Sequence, residues 1–115
     1  MDRNITLNVK GNTYQIEFPN VGKFQNIETM KQVVSKGMYS ALLTTATLSS
    51  IEVLDMVDME ACFTVLCPKL IKDLKCDGFG DLDIADYKEL KEVYLKQFIP
   101  WWNGILEMLR PQEKE

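Results

Sequence analysis

The sequence predicts an α+β fold, in which one N-terminal β-hairpin precedes a mainly helical bundle of four to five helices. Two observations predict it. Residues 5–18 alternate apolar and polar side chains on both sides of a Lys10-Gly11-Asn12 turn, which is the period of a β-strand. From about Phe24 onward the apolar residues recur at helical spacing instead. A chain of 115 residues with 46% hydrophobic content fits a single domain, residues 1–115, with a core of its own.

The hairpin is assigned to residues 1–19. Three apolar residues share one face of each strand: Ile5, Leu7 and Val9 in the first, Tyr14, Ile16 and Phe18 in the second. The Gly11-Asn12 pair can take the positive φ angles of a tight turn. Two strands alone are marginally stable in water and leave backbone hydrogen-bonding groups open along both edges. The hairpin must therefore pack against its own helices or against another chain.

The helical body is assigned to residues 24–110. The expected helices are, in chain order, Asn26–Lys36, a short one within 38–47, 50–67, 69–75 and 84–98, followed by Trp101–Leu109. Gly37 is predicted to close the first, Ser49 or Ser50 to cap the third, and Asp83 to cap the helix that begins at Ile84. Pro100 is expected to kink or restart the last helix. The polar tail 111–115 is expected to fray.

The residues that carry chemistry predict no catalytic site, no metal site and no cofactor. The chain has no histidine, the commonest general base near neutral pH. The acidic stretch from Asp77 to Asp86 departs from a calcium loop at three positions, so we interpret it as capping of a helix N-terminus. Cys62, Cys67 and Cys76 contain no C-x-x-C unit and are interpreted as buried or half-buried free thiols. The protein is therefore not expected to be an enzyme.

The net charge of −4 is unevenly placed. Residues 1–50 hold five basic and three acidic side chains, whereas residues 51–115 hold eight basic and fourteen acidic ones. This distribution gives no footprint for nucleic acid, which needs clustered lysine and arginine. No apolar run reaches the ~18 residues that span a bilayer, and the first twenty residues lack a signal-peptide core. We expect a cytoplasmic protein with a protein partner or a homo-oligomer, and no membrane, nucleic acid or small-molecule substrate.

The helix over residues 50–67 has two apolar stripes where a surface helix needs one. Val53, Leu54, Val57, Ala61 and Val65 fall on one arc, with Met56, Met59, Phe63 and Leu66 nearly opposite. Either this helix is central and covered on both sides, or the second stripe is a partner-binding face. Methionines with a phenylalanine suit an adaptable binding surface.

The two tryptophans give a second candidate surface. Trp101 and Trp102 are consecutive, so they cannot share one helical face. One is expected to pack inward while the other points outward as a binding anchor. The alternative is an aromatic plug that closes the core. The predicted partner-binding residues are thus Met56, Met59, Phe63, Leu66, Trp101 and Trp102.

With these elements in place, the chain resembles small assembly proteins of tailed bacteriophages, most of all the tail assembly chaperone type. The resemblance rests on Val9-Lys-Gly-Asn-Thr-Tyr-Gln-Ile-Glu-Phe-Pro19, on Val21-Gly-Lys-Phe-Gln-Asn-Ile-Glu-Thr-Met-Lys31 and on the all-helical remainder. It implies a non-enzymatic protein that binds a tail-tube or tape-measure protein in the host cytoplasm, or stays in the virion. It transfers no catalytic or ligand residues. The alternative is a small acidic regulator or inhibitor that binds one host protein through its acidic rear half.

Overall fold

A computed structural model describes residues 3–44, 47–75 and 77–110. The strands β1 (Ile5–Val9) and β2 (Asn12–Ile16) form an antiparallel hairpin. The helices are α1 (Val21–Val34), α2 (Tyr39–Thr44), α3 (Leu48–Leu66), α4 (Pro68–Asp73), α5 (Ile84–Val93) and α6 (Ile99–Leu109). A π-helical segment (Tyr94–Phe98) joins α5 to α6 without a break, so the described ranges hold five separate helical bodies. The predicted α+β, mainly helical fold is confirmed.

The hairpin turn differs by one residue from the prediction. Val9 pairs with Asn12, so the turn residues are Lys10 and Gly11, with φ angles of 50° and 81°. Two successive positive φ values match the twist of the flanking strands, as a two-residue hairpin requires. Gly11-Asn12 is therefore not the positive-φ pair, since Asn12 already belongs to β2.

The apolar face of the hairpin packs on the helices of the same chain. Leu7 and Ile16 are fully buried, and Val9 and Tyr14 are buried beside them. β1 contacts α5 and the π-helical segment. Burial of a Leu or Ile side chain contributes about 1.5–3 kcal/mol. The hairpin was expected to pack either against its own helices or against another chain. In the structure it packs against its own helices.

Helix α1 begins five residues earlier than predicted. The Asn20 side chain accepts a hydrogen bond from the Lys23 amide at 2.8 Å, which caps the helix from Val21 onward. At the other end Lys36 has a φ of 56°, and the Gly37 amide donates to the Gln32 carbonyl at 2.8 Å. This is a Schellman closure, so Gly37 takes part in ending α1, as expected.

The other helix boundaries follow the sequence signals more closely. Thr47, rather than Ser49 or Ser50, is the N-cap of α3, and Ser50 completes a reciprocal capping box with it. Asp83 caps α5 as predicted, accepting from the Ala85 amide at 2.7 Å. Pro68 opens α4. Cys76 and the tail 111–115 lie outside the described residues.

Helix α3 is central, because it contacts α1, α2 and α4. Its C-terminal half meets an aromatic cluster, which consists of Phe18, Phe24, Phe63, Tyr94, Phe98, Trp101 and Trp102. Phe98 is the hub of this cluster. Its ring stacks on Tyr94 with centroids 5.4 Å apart and on Trp102 at 5.6 Å, and meets Phe63 edge-on at 5.5 Å. Such aromatic pairs stabilise the fold by more than the burial of their apolar area alone.

The π-helical segment lies directly before Pro100, where a kink or restart is predicted. The Ile99 amide donates to the Tyr94 carbonyl five residues back, which widens the turn. Pro100, the second residue of α6, has no amide hydrogen, and its ring would meet the carbonyl of residue 96 in a regular α-helix. The wide turn lets the helix restart without that clash, so Pro100 restarts the helix rather than ending it.

Candidate functional site

The structure places five of the six predicted partner-binding residues in the interior. Met59 and Phe63 are fully buried and Leu66 is buried beside them. Of the two interpretations of the second stripe, the central, covered helix therefore agrees with the structure, because α1 contacts α3 and the aromatic cluster packs on Phe63. Met56 alone in that stripe is half-buried and lines a surface cavity.

Both tryptophans are buried, so the expectation that one of them points outward is wrong. Trp101 packs edge-on against Phe18, with centroids 6.3 Å apart, on the hairpin side of α6. Trp102 stacks on Phe24 of α1, also at 6.3 Å. Because α6 is covered from two directions, consecutive side chains can both be buried. The pair forms the aromatic plug of the alternative interpretation.

An apolar cavity of about 330 Å³ opens between the start of α1 and the end of α6. We call it the α1–α6 cavity. Its lining residues are Phe18, Pro19, Asn20, Val21, Phe24, Ile105, Met108 and Leu109. Val21, Met108 and Leu109 are exposed by 69%, 65% and 54%. Large apolar side chains grouped on one exposed surface are typical of an interaction site.

A second depression, the α1–α3 groove, consists of two adjoining cavities of about 360 and 190 Å³. Both cavities are lined by Val34, Glu60 and Phe79. The first extends towards Val33 of α1 and Ile71 of α4, with Met30, Thr64, Asp77 and Gly78 completing the lining. The second extends along α3, where Val53, Met56, Val57 and Gly80 complete it.

Glu60 fixes the loop that forms one wall of the α1–α3 groove. Its Oε1 accepts a hydrogen bond from the Phe79 amide at 2.8 Å. Phe79 itself is buried and starts a short 3₁₀ turn that ends at Asp81. Glu60 is absent from the predicted site residues because, in sequence, it is an ordinary acidic residue between Met59 and Ala61 on α3. Its half-buried position follows from the return of the 77–81 loop, which has no local sequence signal.

Exposed apolar side chains also surround α2 and the start of α3. We call this set the apolar shoulder: Met38, Leu43, Leu48, Ile51 and Val53. Helix α2 has only six residues and buries none of them. A helix of that length offers little area with which to cover α3. The apolar residues of the shoulder therefore remain at the surface of the described chain.

Helix α2 is held on α3 by a polar cluster. The Tyr39 hydroxyl donates to Asp58 Oδ1 at 2.7 Å, and Lys31 of α1 lies 3.8 Å from the same oxygen. Lys31 also pairs with Glu28 at 2.7 Å. Burial raises the pKa of Asp58 although Tyr39 and Lys31 act in the opposite direction. Burial likewise raises the pKa of Tyr39 to about 12, so the hydroxyl keeps the proton it donates.

The second polar site on α3 faces α5. Lys91 pairs with Glu52 at 2.6 Å and with Asp55 at 3.7 Å. The Tyr87 hydroxyl is buried and has no hydrogen-bond partner among the described residues. Burial, reinforced by the charges of Asp55 and Glu52, raises its pKa to about 12. Nothing in this arrangement activates a nucleophile, because every tyrosine shift favours the neutral form.

The two described cysteines are free and buried, as predicted for them. Burial raises the pKa of the Cys62 thiol to about 12 and raises that of Cys67. The thiolate is the nucleophilic form of cysteine, and these environments suppress it. In the ranges that the structure describes, no three acidic or cysteine side chains gather in a way that could hold a metal ion.

The hairpin edges are unequal. The outward amide of Asn8 in β1 donates to Oε1 of Gln97 at 2.9 Å, so the π-helical segment covers that edge. The Tyr14 hydroxyl donates to Asp73 of α4 at 2.8 Å and ties the second strand to the body. No local sequence pattern indicates either partner, because contacts across 89 and 59 residues depend on the assembled fold.

Comparison with known protein families, with curated proteins and with solved structures finds no match to this chain. Within the described residues, no helix combines the length and the apolar character needed to cross a bilayer.

Proposed function

We propose that this chain is a non-enzymatic protein that acts through protein–protein contact, as a tail assembly chaperone or small structural subunit of a tailed bacteriophage. The observation that supports a role in protein–protein contact is the α1–α6 cavity. Its lining includes aromatic side chains, and Val21, Met108 and Leu109 around it are more than half exposed. The phage assignment rests on the resemblance of residues 9–31 to that family. The host cytoplasm, and possible retention in the virion, follow from the same resemblance.

The titratable side chains support contact over catalysis. The sequence has no histidine, and burial raises the pKa of the Cys62 thiol to about 12. A general base is most effective with a pKa near the operating pH. The shifts at Tyr39 and Tyr87, which also reach about 12, move these groups further from that range.

The proposal is tested by light scattering of the pure 13.2 kDa chain and by co-purification with a co-expressed tail-tube or tape-measure protein encoded beside it. We expect association in at least one of the two experiments, and its loss in a Val21→Ser, Met108→Ser variant. Both positions are exposed, so the variant should keep its helical circular dichroism spectrum. A strict monomer that co-purifies with no such protein would contradict the proposal.

A small acidic regulator of one host protein is the second candidate. It is favoured by the α1–α3 groove, whose titratable lining residues, Glu60 and Asp77, are both acidic. Salt separates the two candidates, because exposed charge pairs are screened at high ionic strength and apolar contact is not. Binding that disappears at high salt would favour the regulator.

A further inference from the structure

We propose that the α1–α3 groove binds an apolar segment of a partner protein that carries a lysine or arginine, and that this basic side chain pairs with Glu60. The inference rests on the proposed function, since it names the chemistry of a partner for a protein that acts by contact. It concerns a different surface from the α1–α6 cavity, so the two can fail independently.

The apolar part of the partner follows from the walls of the groove. Val33 and Val34 of α1 form one side, and Val53 and Met56 of α3 form the other. Val33 is 63% exposed and Met56 is half-buried, so the groove presents side-chain surface that the chain itself does not cover. Methionine in such a wall can adapt to side chains of different shape.

The basic part of the partner follows from charge complementarity. Glu60 and Asp77 are the titratable side chains of the lining, and the described residues place no basic side chain within it. Glu60 is half-buried, and the hydrogen bond that the structure gives it is the Phe79 amide on Oε1. Both of its carboxylate oxygens would lie 3.7 Å from a Cβ added at Gly78, and Glu60 and Gly78 line the same cavity. A half-buried carboxylate without a cation gains most from a partner that brings one.

The same charge pattern disfavours the other occupants. An anionic lipid, a nucleotide or a nucleic acid would place negative charge against Glu60 and Asp77. A second copy of this chain carries a net charge of −4, which opposes its approach to an acidic groove. A basic, apolar segment combines attraction with burial of the exposed valines and methionine.

The test uses the full-length protein and a fluorescent amphipathic peptide of leucine and lysine, about three helical turns long. A companion peptide has glutamate in place of every lysine. We expect fluorescence anisotropy to give at least about tenfold tighter binding of the lysine peptide, equivalent to about 1.4 kcal/mol. NMR signals of the Met30 and Met56 methyl groups, which lie in the groove, should shift on binding.

Two variants with matched controls locate the site. Glu60→Gln removes the charge but keeps the oxygen that accepts a hydrogen bond from the Phe79 amide. Glu89→Gln makes the same change at an exposed position of α5. We expect Glu60→Gln to weaken binding about three- to tenfold and Glu89→Gln to leave it unchanged. Val33→Ser should also weaken it, whereas Val21→Ser, a similarly exposed valine of the same helix, should not.

Five outcomes would overturn the inference. The first two are equal binding of the two peptides and equal effects of Glu60→Gln and Glu89→Gln. The third is loss of binding in Val21→Ser but not in Val33→Ser, the fourth is a homodimer that only the groove variants dissolve, and the fifth is absence of peptide binding. The third and fourth outcomes would still support action by contact, so they reject the groove assignment without rejecting the proposed function. Absence of peptide binding, with association retained in the light-scattering experiment, does the same.

Discussion

The two halves of α3 have similar apolar content, but the C-terminal half is buried and much of the N-terminal half is exposed. In the C-terminal half Met59, Phe63 and Leu66 are buried against the aromatic cluster. In the N-terminal half Leu48 is 86% exposed, and Ile51 and Val53 are also exposed. The difference comes from the neighbours. The aromatic cluster packs on Phe63 in the C-terminal half, whereas α2 buries none of its six residues and leaves the apolar shoulder exposed beside the N-terminal half. The apolar composition of a helix therefore predicts that it is buried, but the packing of the rest of the chain determines which part of it is buried.

The largest effect should come from charging the covered half. Met59→Glu with Phe63→Glu places two charges at fully buried positions. We expect this variant to lose more than about 5 kcal/mol of unfolding free energy and its helical circular dichroism signal. The matched change in the uncovered half is Leu48→Glu with Ile51→Glu, which should keep that signal. If the Met59, Phe63 variant stayed folded and lost only its association, those residues would belong to an interface and not to the core.

Truncation within the aromatic cluster should have the next largest effect. Phe98→Ala removes a fully buried ring that contacts four other aromatic side chains, so the free energy of unfolding should fall by about 3–5 kcal/mol. Leu95→Ala, in the same π-helical segment but half exposed, should change it by less than about 1 kcal/mol. Urea denaturation measures both. Similar values for the two variants would show that the cluster is not the main source of stability.

Two tyrosines on opposite sides of α3 give a smaller, paired effect. Tyr39→Phe removes a hydroxyl that donates to Asp58 at 2.7 Å, and should cost about 1 kcal/mol of unfolding free energy. Tyr87→Phe removes a buried hydroxyl without a partner in the described chain, and should be neutral or stabilising. Chemical denaturation of both variants at neutral pH tests the pair. A larger loss in Tyr87→Phe would mean that its hydroxyl has a partner.

The smallest effect is the pH dependence that Asp58 contributes. Burial raises its pKa in the folded state above the ordinary value of 3.8. As pH rises from 3.8 through the raised pKa, the unfolded chain has lost a proton that the folded chain still holds, so stability falls across this window. We expect the stability of the wild type relative to Asp58→Asn to decrease over this window and then to level off. A relative stability that rises with pH would mean that Lys31 and Tyr39 outweigh burial.

Local signals in the sequence predicted most of the secondary structure. The alternation of apolar and polar residues over 5–18 predicts the hairpin, and the capping residue Asp83 predicts the start of α5. The predicted start of α1 at Asn26 is too late, because residues 20–23 lie between the assigned hairpin and the assigned helical body. Asn20 followed by Val21 is the capping signal in that interval. Thr47 was missed as the cap of α3, since three neighbouring hydroxyl residues could serve equally well by type alone.

The candidate surfaces could not be predicted in the same way. A double stripe shows that a helix has two apolar faces, but it does not show that the aromatic cluster packs on its C-terminal half. Trp102 is buried by Phe24, a contact between residues 78 positions apart that no local pattern encodes. The acidic lining of the α1–α3 groove depends likewise on the 77–81 loop returning to Glu60.

The wide turn before Pro100 also has a consequence for the length of the chain. A π-helical turn corresponds to an α-helix with one additional residue, so deleting Leu95 or Lys96 would restore regular spacing. The wide turn absorbs its extra residue locally, so the residues after it would stay close to their present positions. Pro100, however, would then lie within a regular α-helix, where its ring meets the carbonyl four residues before it. This stretch should accordingly tolerate substitution of its exposed residues far better than any change in their number.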